Sequence, residues 1–185
     1  VAGRIRAARA QELALLPGIE RRAGALLEGH VAQAAFAAHV LDQDALRDGL
    51  ARGQLWVAQD EDGACAGYLL GGQLDDGFHV QQMDVDPRYA RRGHGRALLR
   101  HARAAALAAG FPCMLLTTLR DVPWNAPFYA SEGFVELPPA QWGPQLRATL
   151  QQEAALGFPM HLRVAMRCPL SGRANAAHLG IEDKP

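Results

Sequence analysis

Between Gln54 and Val85 apolar and polar residues alternate with a period near two, and "QLWVAQDEDGACAGYLLGGQL" is broken by the turn pair Asp62 and Gly63. Two such runs about a turn dipeptide predict a β-hairpin. "DGFHVQQMDV" predicts a third strand, which Pro87 ends. On a regular pleat, His79, Gln81, Met83 and Val85 share one face, and Val80, Gln82 and Asp84 the other. The period then changes. From His94 to Ala109 strong helix formers dominate, Leu98, Ala102, Ala105 and Ala109 make one stripe, and Gly110 is the stop. "CMLLTT" predicts a short strand buried on both faces. "NAPFYASEGF" predicts a short helix closed by Gly133, with a strand from Phe134. A helix over 145–156 and a last strand in "MHLRVAM" follow. Ahead of the hairpin, Gln11 to Leu50 reads as helices, with "ELALL" stopping at Pro17 and Gly18 and "IERRAGALLEGHVAQAAFAAHVL" continuing at helical spacing. The tail, 169–185, has little apolar periodicity and is expected to be loose. Several strands followed by strand, glycine loop, helix, strand and helix predict a mixed sheet with helices on both faces.

Composition narrows the classes. The chain has 185 residues, 49% of them hydrophobic, enough for one sizeable core and short for two. Lys+Arg and Asp+Glu are both 19, which gives no global charge for nucleic acid or a membrane surface, so any phosphate binding is local. Cys65, Cys113 and Cys168 are scattered, without the spacing of a zinc site, and read as buried thiols. No apolar run approaches the ~20 residues a bilayer needs. The expectation is a cytoplasmic protein that uses no metal and binds neither nucleic acid nor membrane.

The stretch "DVDPRYARRGHGRALLRHA" carries the densest chemistry. A strand ending at Pro87 and a helix starting near His94 leave the NH groups of Arg92, Gly93, His94, Gly95 and Arg96 unpaired at the helix mouth, where an anion fits. Gly93 and Gly95 let that anion approach the main chain. Arg91, Arg92 and Arg96 add positive charge where it opposes the helix dipole by about 0.3–1 kcal/mol each, a sign that a bound polyanion would reverse. The plainer reading is a tight turn followed by a solvated face of Arg96, Arg100 and Arg103. A Walker loop lacks its G-K-[ST] ending, and Leu98 stands where a dinucleotide fingerprint needs its third glycine.

"VDPRYARRGHGRALL" resembles the acetyl-CoA signature of the GCN5-related N-acetyltransferases, [QR]-x-x-G-x-[GA] after a strand ending in Val. "DVPWNAPFYASEGF" resembles their second segment, an Asn before a short helix that bears a Tyr and ends in Gly-Phe. One position departs: Ala90 stands at [QR]. The resemblance implies an α/β (α+β) fold with a mixed, mostly antiparallel sheet of about six to seven strands, helices on both faces and a splayed strand pair holding CoA. It implies one domain: an N-terminal strand and substrate-side helices in 1–50, an acetyl-CoA core in 54–137, and a C-terminal helix and strand in 138–168. Acetyl-CoA is the implied cosubstrate. Its pantetheine arm would lie along Met83, Asp84 and Val85 and its pyrophosphate on the loop Arg91, Arg92, Gly93, His94, Gly95 and Arg96, with Asn125 nearby or capping the helix. Tyr129 matches the general acid beside the sulphur, and His79 stands where histone-type members place a glutamate base, with a water relay as the other route.

The reaction implied is direct attack by a primary amine in a ternary complex, without a cysteine intermediate. The acceptor is left as a small amine or an amino-acid-like molecule, with a protein N-acetyltransferase as the alternative and a homodimer left open. A CoA-binding sensor or interaction domain without turnover is the competing class, and a general nucleotide-binding domain a weaker one. Asp75 and Asp76 read first as turn residues and second as partners of a cationic amine. Trp124 and Trp142 are candidates for a pocket wall.

Overall fold

The computed structural model describes residues 3–170, and the tail expected to be loose lies, from residue 171, outside them. Seven strands are described: β1 (Ile5–Ala7), β2 (Leu55–Gln59), β3 (Cys65–Leu74), β4 (Gly77–Val85), β5 (Cys113–Leu119), β6 (Val135–Glu136) and β7 (Arg163–Pro169). They form one sheet in the order β1-β2-β3-β4-β5-β7-β6. Every pair is antiparallel except β4 with β5. Six helices accompany them: α1 (Leu16–Gly24), α2 (Gln33–Ala38), α3 (Gln43–Ala51), α4 (His94–Ala108), α5 (Ala126–Ser131) and α6 (Pro144–Ala155). The mixed, mostly antiparallel sheet matches expectation.

The helices divide between the two faces. Leu98, Leu99, Ala102 and Ala106 of α4 and Tyr129 of α5 pack with Leu69, Phe78, Val80, Met114 and Leu116. On the other face Leu16 and Ile19 of α1 and Leu46 of α3 pack with Leu55, Val57, Tyr68 and Leu70, while Leu146 and Leu150 of α6 meet Ala165. Alternate residues of β3 thus feed two different cores, as the period-two pattern requires.

The N-terminal helices differ from expectation. Pro17 opens α1 instead of ending a preceding helix, because proline is tolerated in a first turn, where its missing NH has no partner to lose. The run expected to continue to Leu41 breaks into α1, a 3₁₀ turn at Ala25–Leu27 and the short α2. Asp42 caps α3 by accepting from the Ala45 NH at 2.7 Å.

The regular pleat expected of β4 is interrupted. Leu70 pairs with Gln82 but Gly71 pairs with Val80, so Gln81 is an extra residue in a β-bulge. Side-chain parity flips across it. His79 lies on the face of Gln82, Asp84 and Tyr68, and Met83 and Val85 share the face of Val80 and Phe78, which corrects the expectation that His79, Met83 and Val85 look the same way. The bulge also coincides with a parting of strands. Pairing of β4 with β5 is limited to Phe78↔Met114 and His79↔Leu115, leaving the β5-facing backbone of residues 80–85 without a strand partner. Because the pairs on both sides of Gln81 keep a common register once it is removed, deletion of Gln81 should give a folded chain with a straight β4. Amide hydrogen exchange is the check: the amides of 82–85 that face β5 should gain protection.

Candidate active site

A cavity of about 1000 Å³ opens where β4 and β5 part. Residues Val80 to Val85 form one wall and Leu116, Thr117 and Thr118 of β5 the other. The N-terminus of α4 and the α5 residues Phe128 and Tyr129 close one end; α1, α2 and Arg163 close the other.

The loop into α4 has the backbone that its glycines suggest. Gly93, at the N-cap, has φ of 84°, and Arg91 adopts φ of 63° without being glycine. A left-handed non-glycine residue costs roughly 1–2 kcal/mol, so the surrounding structure holds the loop in this shape. Gly95 is different. A Cβ built there would meet Val85 Cγ2 at 3.6 Å and Phe128 Cζ at 4.0 Å, ordinary contacts, so the protein's own packing leaves room for it. That room faces the cavity-lining residues Val85 and Phe128, which fits a ligand lying against the main chain.

The arginines are more committed than expected. Arg96 pairs with Glu132 at 2.6 Å and Arg100 joins the same buried carboxylate at 3.0 Å. Arg92 lies over the Tyr89 ring at 5.5 Å and is absent from the cavity lining, whereas Arg91 is part of it. Arg88 and Arg22 both bind Asp86, at 2.7 Å each, and Asp86 is fully buried at the end of β4. These partners, Arg88 foremost, hold its carboxyl well below the usual range. Their contribution to stability is therefore present above the ordinary carboxylate range and is lost as pH falls through the depressed value.

His94 contributes its position at the first helical residue, but its ring is buried, and neither ring nitrogen has a hydrogen bond among the described residues. Burial favours its neutral form. Asn125 occupies the N-cap of α5 without a side-chain capping bond and lines the cavity, its amide without a hydrogen bond among the described residues. Tyr129 is 8% exposed, lines the cavity and packs edge-on to Phe128 and Phe134. Burial, reinforced by Asp84, raises the Tyr129 phenol well above its ordinary value, so it is protonated at neutral pH.

His79 does not line the cavity. Burial lowers it to about 4, which keeps it neutral and makes it a weak proton acceptor. Asp75 caps α6 by accepting from the NH groups of Gln145 at 2.9 Å and Leu146 at 3.1 Å, a structural task. Of the two tryptophans Trp124, half-exposed, lines the cavity, whereas Trp142 donates its indole NH to the Leu137 carbonyl elsewhere. Arg163, on the cavity wall, is tied to Glu153 at 2.9 Å. The three cysteines are free and none lines the cavity.

Glu20, which sequence reasoning passed over, joins the site, beside Asp84, which was expected there only along the pantetheine arm. Glu20 of α1 is only 7% exposed and lines the cavity, and its Oε2 accepts from the Leu41 NH at 3.0 Å and the Tyr68 hydroxyl at 3.3 Å. Asp84 lies beside the same tyrosine and takes the Gln82 amide at 2.7 Å. The signal was a glutamate set in the apolar stripe of Leu16, Ile19, Ala23 and Leu27. Burial raises Glu20 to about 7, with Asp84 adding to the shift, and burial raises Asp84 to about 6.

Residues 51–136 match the model of the acetyltransferase (GNAT) domain. The fold resembles PaiA N-acetyltransferase from Thermoplasma acidophilum, solved with coenzyme A, at 15% identity and a TM-score of 0.67, covering 90% of this chain and 98% of that one. It resembles an Escherichia coli ribosomal-protein alanine N-acetyltransferase at 18% identity and a TM-score of 0.61, covering 95% and 99%. It also resembles N-acetylglutamate synthase from Neisseria gonorrhoeae, solved with coenzyme A and N-acetyl-glutamate, at 16% identity and a TM-score of 0.68, covering 91% of this chain but 35% of that one.

The raised value of Glu20 carries a stability consequence. Below the unfolded value near 4.3 both states are protonated; above about 7 the folded chain bears a buried charge that the unfolded chain solvates freely. Glu20→Gln should therefore raise the melting temperature at pH 8 by about 2–4 °C, with no gain at pH 4. Thermal denaturation at both pH values measures the difference.

Proposed function

We propose, from the match of residues 51–136 to the GNAT acetyltransferase domain, that the chain is an acetyl-CoA-dependent N-acetyltransferase acting on a primary amine. The observation that carries this reading is the cavity at the β4–β5 parting, with an unpaired strand edge on one side and a glycine-shaped helix mouth at one end. An extended amide-bearing chain could pair with the free edge at Met83, Asp84 and Val85. A pyrophosphate matches the NH groups of Gly93, His94, Gly95 and Arg96, with Arg91 alongside. Asn125 adds an uncommitted amide. Arg92 and Arg96, engaged with Tyr89 and Glu132, would contribute through their backbone.

Acetyl-CoA supplies the activated thioester, and the protein's share is orientation and proton traffic. Backbone NH near Val85 would polarise the carbonyl. Tyr129, protonated and facing the same space, would give its proton to the departing thiolate. With no cysteine on the cavity wall, attack is direct, in a ternary complex. The acceptor enters from the side of α1, α2 and Arg163, where a small amine or amino-acid-like molecule fits. A protein N-terminus is the second reading, supported by the fold shared with the ribosomal-protein alanine N-acetyltransferase.

Three measurements test this. Calorimetric titration with acetyl-CoA, ATP and NAD should show binding of acetyl-CoA alone; nucleotide binding without CoA would defeat the reading. Gly95→Ala should leave the melting temperature unchanged, because its Cβ has room, yet weaken CoA binding about tenfold by occupying the ligand's place, roughly 1.4 kcal/mol. Tyr129→Phe should lower thiol release by about 10²–10⁴-fold with CoA affinity preserved.

A further inference from the structure

Acetyl transfer needs a neutral amine, yet an aliphatic amine arrives protonated, and His79 is off the cavity. The bulge at Gln81 leaves Asp84 on the face of Tyr68, whose hydroxyl binds Glu20 of α1. Tyr68 is fully buried, donates its hydroxyl to Glu20 Oε2 at 3.3 Å and is the direct cross-strand neighbour of Asp84. Both acids line the cavity, and among the described residues neither forms an ion pair with arginine or lysine. Glu20 Oε2 takes the Leu41 NH and the Tyr68 hydroxyl, which leaves its carboxylate without a cationic partner among the described residues. Elsewhere in this protein buried carboxylates are saturated by guanidinium: Asp86 by Arg22 and Arg88, Glu132 by Arg96 and Arg100. The Glu20–Asp84 pair is built like a place that waits for a cation.

We propose that Asp84 is the proton acceptor of the reaction, with Tyr68 and Glu20 as its relay, and that the acceptor is a primary amine bound as its ammonium ion. This rests on the acetyl-transfer reading above. The ammonium N–H bond breaks as the Asp84 O–H bond forms, leaving the amine lone pair free for attack. Protonated Asp84 then passes a proton to the Tyr68 oxygen while Tyr68 gives its own to Glu20, so the phenol ends neutral and Glu20 releases the proton to water. The second amine proton leaves with the thiol through Tyr129, so two protons leave nitrogen and each has a destination.

The groups facing the pair agree with this traffic. Arg21 of α1 acts weakly in favour of ionised Glu20, Tyr68 of β3 is held protonated by burial and by the two acids, and Tyr129 of α5 feels the Asp84 charge. Values near 6 and 7 keep much of the pair able to accept a proton at neutral pH and able to lose it again.

The test pairs two acceptors of equal size class: ethylamine, almost wholly protonated at pH 7, and trifluoroethylamine, largely neutral. With acetyl-CoA at pH 7, Asp84→Asn should lower thiol release with ethylamine about 100-fold and leave trifluoroethylamine unchanged. His79→Ala should change neither. Equal loss with both amines, or no loss with either, overturns the proposal. A second arm needs no turnover. In ¹³C-carboxyl NMR, Asp84 should titrate near 6 and Glu20 near 7, and Asp84→Asn should lower the Glu20 midpoint. Ordinary carboxyl values in the unmodified protein overturn the proposal whether or not either amine reacts. Failure to bind acetyl-CoA, with both acids titrating as expected, would instead sink the transferase reading.

Discussion

A buried backbone must satisfy its own hydrogen bonds, and at β4 that rule is deliberately left open on one side. The strand keeps its ladder with β3 to Val85, but its other edge loses β5 after His79↔Leu115. Donors and acceptors on that edge have to meet water or a ligand. The cavity, the helix mouth and the placement of α1 all follow from this divergence. Without it Leu116, Thr117 and Thr118 would continue a closed parallel pair and the space would be filled.

Gln81 decides what each wall is made of. By shifting parity it leaves Met83 and Val85 on the apolar face beneath α4 and Asp84 on the face of Tyr68. One inserted residue thus puts an apolar surface and a carboxylate on opposite faces of the same strand. Electrostatics divides the same way. Arg96, Arg100, Arg88 and Arg22 are balanced by Glu132 and Asp86 near the helix mouth, whereas Glu20 and Asp84 face the other compartment without an ion-pair partner among the described residues. Placing two unbalanced acids in a partly dry site is costly, and burial answers by raising their proton affinity.

Much of this was legible along the chain. The hairpin at Gly63, the strand ending at Pro87, α4 and α5 all stand where periodicity and stop residues put them, because each depends on local propensity and on one apolar face. The glycine loop was legible for the same reason: backbone geometry at Gly93 is a local property. Parity on β4 was not, since a bulge is set by register against β3. The commitment of Arg96 and Arg92 was hidden as well, because Glu132 and Tyr89 reach them through tertiary packing. Glu20 lay in plain view as an acid in an apolar stripe, but its meaning needed Tyr68 and Asp84, which are 48 residues away or more. Pro17 misled because one residue type both ends and begins helices.

Asp86 ties two walls of the cavity together. It caps the turn at Pro87–Tyr89 by accepting from the Arg88 NH at 3.1 Å, and it holds Arg22 of α1 at 2.7 Å. The helix that carries Glu20 is thus pinned to the turn from which the Gly93 loop departs. One carboxylate anchors both a helix and a loop whose contacting residues, Arg22 and Asp86, lie 64 positions apart in the chain.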